Sequence, residues 1–155
     1  MKGSEKVIES LNALLMDEMT AVHQYILHAE MCEDWGYKKL AEAVRQRALD
    51  EMKHVDRLIE RILFLEGQPL VGQLRGVNIG REVKTQLEND LQSEREAVAA
   101  YNQAIALAAR EGDNGTKDLL EGILADEERH VDWLETQLNL LESMGLENYL
   151  STQAA

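Results

Sequence analysis

The chain consists of two copies of one sequence pattern, offset by 76 residues. Residues 50–58 read DEMKHVDRL and residues 126–134 read DEERHVDWL, which aligns Glu51 with Glu127 (127 − 51 = 76). The same offset relates a series of further pairs, namely Glu18 and Glu94, Leu11 and Leu87, Val22 and Val98, Tyr25 and Tyr101, and Gly36 and Gly112. Because two equivalent halves share one pattern, we expect two similar helical units that pack against each other.

Four segments carry apolar residues at steps of three and four, which places side chains on one face of a helix. The pattern predicts an all-α chain with Ser4 as the first N-cap. The expected helices cover about residues 4–35, 37–66, 82–111 and 116–144, with a short one over 146–150. The expected core positions are Leu11, Leu15, Val22, Tyr25, Ala29, Leu40, Val44, Leu58, Ile62, Leu65, Val83, Leu87, Val98, Tyr101, Ile105, Leu120, Ile123, Leu134, Leu138 and Leu141.

The connections predict how these helices are arranged. Gly36 and the stretch 112–115 leave room only for tight turns, so each half is an antiparallel helical hairpin. Gly67 and Pro69 are expected to end the second helix. The link over 67–80 is long enough to run the length of a bundle. We therefore expect a four-helix bundle with one long crossover, formed by residues 1–155 as a single domain.

Six ionisable residues fall on the expected core stripes, and they are Glu18, Glu51, His54, Glu94, Glu127 and His130. A residue three positions further along a helix returns nearly to the same face, so both members of a Glu-x-x-His pair can point at one centre. Four carboxylates in an apolar core would each cost several kcal/mol without compensation. Two divalent cations would balance their four charges.

Oxygen and nitrogen ligands without thiolate suit iron or manganese better than structural zinc. We assign Glu51 and Glu127 as bridging ligands, with Glu18 and Glu94 as terminal ligands and one histidine on each metal. Cys32 is the only cysteine, which excludes an intrachain disulfide and a cysteine zinc site.

Three further side chains have simpler interpretations. His28 is expected to be a packing or surface residue. His23 has Ala99 as its counterpart in the second copy, and we expect it to be structural. Met52 lies about 100° around the helix from Glu51 and should point away from the core. From the residue alone, a methionine there could pack at a dimer interface.

The chain is strongly acidic, with 29 acidic and 16 basic residues and a net charge of −13. Such a surface repels nucleic acid and anionic membranes, and it attracts cations. The amino terminus lacks the apolar stretch of a signal peptide, and no apolar run approaches membrane-spanning length. We expect a cytoplasmic protein with neither nucleic acid nor membrane as a partner.

The chain resembles bacterioferritin over essentially its whole length. The motifs that carry the resemblance are DEMKH at 50–54, RILFLEG at 61–67, WLET at 133–136 and GLENYL at 145–150. His130 separates the chain from eukaryotic-type ferritins, which lack the second histidine. A single cysteine cannot supply the rubredoxin-like module of a rubrerythrin.

The resemblance implies a ferritin-like fold and a homo-oligomer, a spherical shell of two dozen subunits that stores ferric mineral. It implies a diiron ferroxidase centre at the six residues, oxidising Fe(II) to Fe(III) with dioxygen or hydrogen peroxide. It also implies haem b between two subunits, with Met52 from each as axial ligand, and a small ferredoxin as reductant.

The resemblance gives Tyr25 a redox role beside the diiron centre, although its stripe position fits a core tyrosine equally well. Two positions depart from the family. Gln46 stands where some members have a histidine that forms an inner iron site with Asp50. His23 stands where asparagine is frequent, near the haem pocket.

Two other functions stay open at this stage. A diiron or dimanganese redox enzyme that stores nothing, peroxidase or catalase-like, would use the same six ligands. A structural helical oligomer with a vestigial site would leave four core carboxylates unexplained. Size in solution separates the first from a storage protein, because storage requires a cage.

Overall fold

The computed structural model describes residues 1–155 and contains helices and connecting segments, with no strand. The helices are α1 (Glu5–Asp34), α2 (Lys38–Phe64), α3 (Val83–Arg110), α4 (Asn114–Met144) and α5 (Leu146–Gln153). The predicted all-α class and the four long helices with a short fifth are therefore confirmed. No helix combines the length and the apolar character that crossing a membrane requires.

The two hairpins turn in the same way. Gly36 and Gly112, which are 76 residues apart, have φ angles of 90° and 71°. After them, the amide of Tyr37 bonds the carbonyl of Cys32 at 2.9 Å, and the amide of Asp113 bonds that of Ala108 at 2.8 Å. Glycine adopts this left-handed conformation at little cost, so both turns reverse the chain within a few residues.

Capping residues set two helix starts. The Ser4 hydroxyl accepts from the amide of Val7 at 3.4 Å, which confirms the predicted N-cap. Helix α4 begins at Asn114, two residues before the expected position. The reason is Asp113, whose carboxylate accepts from the amide of Thr116 at 2.9 Å and so starts the helix earlier.

The end of α2 corrects one expectation. Helix α2 ends at Phe64, two residues before the expected position, and the residue in the left-handed conformation after it is Glu66, with φ of 62°. Gly67 is needed for a different reason, since a Cβ there would lie 2.7 Å from Ile8 Cγ2 and 3.0 Å from Ile62 Cγ2. The absence of a side chain lets the chain leave α2 in close contact with α1.

The crossover between α2 and α3 runs along α1 from its beginning towards its end. Side chains of α1 hold the crossover backbone at successive points. The bonds join Leu70 N to Asn12 Oδ1 (2.9 Å), Arg75 N to Thr20 Oγ1 (2.9 Å), Asn78 N to Gln24 Oε1 (3.0 Å) and Gly80 N to His28 Nε2 (3.0 Å). These bonds satisfy backbone donors in a segment without regular structure.

Two apolar clusters form the core, and a polar layer separates them. One cluster includes Tyr25, Leu87 and Tyr149 of α5. The other includes Leu15, Leu58 and Tyr101. Four positions expected in the core are only half-buried, because periodicity does not separate the centre of a packed face from its edge. They are Val22, Val98, Ile105 and Leu138.

Candidate metal centre

The polar layer between the two clusters contains all six predicted ligand residues. Each is at most 2% exposed. The ligand atoms form two overlapping groups, and within each group they lie within 4.8 Å of one another. The groups are Glu18, Glu51, His54 and Glu127, and Glu51, Glu94, Glu127 and His130. Two residues, Glu51 and Glu127, belong to both groups.

Both histidines turn Nδ1 towards the carboxylates. His54 Nδ1 lies 2.9 Å from Glu127 Oε1 and 3.5 Å from Glu18 Oε2. His130 Nδ1 lies 3.1 Å from Glu51 Oε1 and 3.4 Å from Glu94 Oε1. The two rings are 6.5 Å apart between centroids. The centre therefore has a carboxylate pair in the middle and a histidine on each side.

The outward nitrogens of the histidines contact aspartates of the opposite half. His54 Nε2 lies 2.9 Å from Asp126 Oδ2, and His130 Nε2 lies 3.3 Å from Asp50 Oδ2. A carboxylate at Nε2 favours the tautomer that carries its proton there, which leaves the Nδ1 lone pair free for a metal. Sequence reasoning gave neither aspartate this role, although the 76-residue repeat aligns Asp126 with Asp50.

Two tyrosines bind the terminal carboxylates, again across the halves. The Tyr25 hydroxyl donates to Glu94 Oε1 at 2.5 Å, and the Tyr101 hydroxyl donates to Glu18 Oε1 at 2.6 Å. Tyr101 was expected only as a core residue. The 76-residue offset from Tyr25 was the signal that could have placed it at the centre.

Five buried atoms at the centre have no hydrogen-bond partner, and they are Glu18 Oε2, Glu51 Oε1, Glu94 Oε2, Glu127 Oε1 and His130 Nδ1. Some of these atoms lie close to one another, as His130 Nδ1 and Glu51 Oε1 do at 3.1 Å, but their angles are not those of a hydrogen bond. A buried polar atom left unpaired costs about 1–3 kcal/mol, and more when charged. Four carboxylates and two imidazoles that turn Nδ1 towards them are a donor set that fits two divalent cations.

Without cations, the centre holds protons. Burial and the neighbouring charge of Glu18 place the pKa of Glu51 and of Glu127 well above the usual carboxyl value. Burial opposes a charge on His54, but hydrogen bonds with Glu127 and Glu18 raise the pKa of its imidazole to about 12. Metal ions must displace these protons to bind.

Cavities reach the centre from both sides. On the side of α1, α3 and the crossover, a cavity of about 330 Å³ is lined by Glu18, Glu51, Glu94 and Glu127. On the side of α2 and α4, an opening of about 810 Å³ is lined by both histidines and by Arg47, Lys53, Arg57 and Arg129. The carboxylates therefore face one cavity and the histidines the other.

The remaining predicted residues lie outside the centre. His28 is fully buried, so the surface alternative is wrong, and its Nδ1 lies 2.9 Å from Asp90 Oδ1. His23 is exposed, with Nδ1 2.8 Å from the carbonyl of Met19. Met52 is 48% exposed on α2. The amide of Gln46 donates to Asp50 at 3.0 Å.

The fold and the centre together define a ferritin-like helical bundle with a buried cluster of carboxylates and histidines of the kind that can hold metal ions. A family profile described as ferritin-like domain matches residues 8–144. Bacterioferritin from Brucella melitensis is 46% identical over 155 residues, which cover 100% of this chain and 96% of that protein. Bacterioferritin from Rhodobacter capsulatus is 43% identical with the same coverage.

Bacterial ferritin from Synechocystis is 44% identical over 154 residues, covering 99% of both chains. The chain belongs to the ferritin-like family and, within it, to the bacterioferritins, as its motifs predicted.

Proposed function

We propose that this protein stores iron and is a ferroxidase. It oxidises Fe(II) to Fe(III) with dioxygen or hydrogen peroxide and keeps the ferric product as mineral inside a shell of its own copies. The observation that carries the proposal is the buried centre, where two overlapping groups of ligand atoms share Glu51 and Glu127. Membership of the bacterioferritins supports the storage role.

Fe(II) is the substrate of this centre. Glu51 and Glu127 are in position to contact both ions, since each belongs to both groups. The first ion has its remaining ligands in Glu18 and His54, and the second has them in Glu94 and His130. Two Fe(II) ions give up one electron each, which matches the two electrons that reduce dioxygen to peroxide, or peroxide to water.

Tyr25 is proposed to supply one of the two electrons that reduce hydrogen peroxide to water when a single Fe(II) supplies the other. It then passes its phenol proton to Glu94 and is left as a tyrosyl radical. Its hydroxyl is fixed on Glu94 at 2.5 Å, beside the second group of ligands. Tyr101 makes an equivalent bond to Glu18 at 2.6 Å. Both hydroxyls also hold a terminal carboxylate in place, so the redox role of Tyr25 is separable from this positioning role by comparing the two tyrosines.

We propose that residues 1–155 form one ferritin-like domain and that copies assemble into a spherical shell of two dozen subunits. The outer faces of α1 and α2 carry exposed apolar side chains, namely Ile26, Leu27, Leu49 and Met52. An exposed thioether with apolar neighbours fits haem b, which two copies would hold with Met52 from each. Bound haem would supply electron transfer for iron release, with a small ferredoxin as reductant.

The test is an aerobic Fe(II) titration of the metal-free assembled protein, followed by near-ultraviolet absorbance and by particle size. We expect a fast phase that saturates at two Fe(II) per subunit, followed by slow mineral growth on a cage-sized particle. Glu94→Ala should abolish the fast phase and leave assembly intact. Glu88→Ala, which removes an exposed carboxylate from the same helix, is the matched control.

The outcomes separate the candidate functions. A fast phase on a small oligomer that takes up no further iron would favour a non-storage diiron or dimanganese redox enzyme, peroxidase or catalase-like. A fast phase that survives Glu94→Ala would mean that the assigned ligands are wrong. The absence of any fast phase in the wild-type protein would contradict ferroxidase activity.

A further inference from the structure

The carboxylate-lined cavity has one positively charged residue at its mouth. Of its 15 lining residues, Arg75 is the only lysine or arginine. The acidic lining residues are Asp17, Glu18, Glu51, Glu94, Glu96 and Glu127. Such a cavity attracts divalent cations, and the guanidinium of Arg75 opposes that attraction where a cation would pass.

The geometry places Arg75 at the surface end of the cavity. Its Nε pairs with the carboxylate of Asp17, and the two side chains are 54% and 32% exposed. Glu18, the next residue after Asp17, is 2% exposed and belongs to the metal centre. A cation that travels from solvent to Glu18 through this cavity therefore passes close to the Arg75–Asp17 pair, and Glu96 is the other exposed acidic residue of the lining.

The backbone around Arg75 is anchored independently of its side chain. The amide of Arg75 donates to Thr20 Oγ1 at 2.9 Å, and the amide of Asn78 donates to Gln24 Oε1 at 3.0 Å. Both acceptors belong to α1. The guanidinium can therefore swing, or be replaced by a neutral side chain, without detaching the crossover from the bundle.

We propose that Arg75, paired with Asp17, is a charge gate that controls how fast divalent cations reach the centre. The pair places a positive charge near the opening and offsets the charge of Asp17, one of the acidic residues that line the cavity. The inference rests on the proposed function, because it presumes that the six-residue centre binds metal. It assigns Arg75 a role in access alone, since a guanidinium has no lone pair to offer a metal ion.

The test measures Co(II) binding by stopped-flow absorbance on the assembled, metal-free protein, so that no iron oxidation is needed. Arg75→Gln keeps a polar side chain and removes the charge. Arg45→Gln is the control, because Arg45 pairs with Glu30 at 3.1 Å in an exposed ion pair outside the cavity lining. It changes the net charge by the same amount.

We expect Arg75→Gln to bind Co(II) roughly three- to tenfold faster than wild type at low ionic strength, with the difference shrinking in high salt. Release to a chelator should accelerate by a similar factor, because a gate acts in both directions and leaves the affinity nearly unchanged. Arg45→Gln should behave as wild type.

Equal rates for Arg75→Gln and wild type would overturn the gate. So would an equal acceleration in Arg45→Gln, because the cause would then be net charge. A changed affinity at an unchanged rate would make Arg75 a contributor to binding and would also overturn it. If wild-type protein binds no Co(II) at all, the proposed metal centre fails and the gate fails with it.

Discussion

The hydroxyl of Tyr25 on α1 donates a hydrogen bond to Glu94 of α3 at 2.5 Å, so the two oxygens of this carboxylate have different surroundings. Oε1 binds the tyrosine, whereas Oε2 is buried without a partner. The second half of the chain repeats the arrangement, since Tyr101 binds Oε1 of Glu18 and leaves Oε2 unpaired. Each half of the repeat therefore orients a terminal ligand of the other half.

Removing one of these donors should weaken metal binding without unfolding the bundle. Tyr101→Phe frees Glu18 to rotate, and losing such an outer partner typically lowers metal affinity about 10–100-fold. Isothermal titration with Co(II) checks the prediction. Tyr37→Phe, at a half-buried tyrosine outside the centre, is the control and should leave affinity unchanged. Unaltered binding in Tyr101→Phe would show that the hydroxyl does not position the carboxylate.

The two tyrosines also test the redox proposal. If Tyr25 supplies an electron, Tyr25→Phe should remove a tyrosyl radical signal formed during Fe(II) oxidation, while Tyr101→Phe should retain it. Rapid-freeze electron paramagnetic resonance is the measurement. A signal that persists in Tyr25→Phe would assign the redox role elsewhere and leave Tyr25 as a positioning residue.

The aspartates behind the histidines should differ in importance. Asp126 lies 2.9 Å from His54 Nε2, whereas Asp50 lies 3.3 Å from His130 Nε2. Because the shorter contact constrains its ring more strongly, we expect Asp126→Ala to lower Co(II) affinity more than Asp50→Ala does. The loss in Asp126→Ala should be roughly tenfold relative to wild type. The reverse order would mean that these distances do not rank the two contacts.

The pH dependence of metal stabilisation follows from the protons at the centre. The pKa values of Glu51 and Glu127 are raised above 4.5 in the folded, metal-free protein. The stability that this protonation contributes is fully present below about pH 4.5 and is lost as the pH rises through the folded-state pKa. The pKa of His54 is raised from 6.5 to about 12. The stability that its charged form contributes is fully present below about pH 6.5 and is lost as the pH rises through about 12.

Metal binding expels these protons, so cations should stabilise the protein more at higher pH. We expect the increase in thermal midpoint caused by Co(II) to grow between about pH 5.5 and about pH 7.5. Scanning calorimetry with and without Co(II) measures it, and Glu94→Ala should show a much smaller increase. A constant or falling increase in wild type would contradict the protonated centre.

Packing at the end of α2 gives a prediction about stability. In Gly67→Ala the new Cβ meets Ile8 and Ile62, so we expect a loss of about 1–3 kcal/mol in the free energy of unfolding. At Gly72 a Cβ meets nothing within 4 Å, so Gly72→Ala should be neutral or slightly stabilising. Denaturant unfolding of the two variants checks the contrast, and equal effects would refute the packing explanation.

Much of the bundle and its centre was predictable because both depend on local periodicity. Steps of three and four fix which side chains share a helix face, and they placed Glu18, Glu51 and His54 together with apolar residues. The 76-residue repeat then doubled the pattern. The helix ends were less certain, since the cap at Asp113 and the left-handed residue Glu66 depend on side-chain bonds and packing that periodicity does not describe.

The crossover contacts show what the sequence left hidden. The α1 residues that anchor the crossover are Asn12, Thr20, Gln24 and His28. Their counterparts 76 positions later are Glu88, Glu96, Ala100 and Ala104, and none of these bonds to the crossover backbone. A departure from the repeat on one helix face was therefore the available signal. It could not name the partner, because hydrogen bonds between distant segments have no fixed spacing.

The sequence by itself determined the helical hairpins and which residues could bind metal, because both follow from intervals within single helices. Only the tertiary structure decided that Tyr101 reaches Glu18, that Asp126 reaches His54 and that Arg75 lies over the cavity beside Asp17. These contacts depend on how each helix is rotated against its neighbours and on the path of the crossover. Burial and long-range hydrogen bonding set both, whereas local periodicity sets neither.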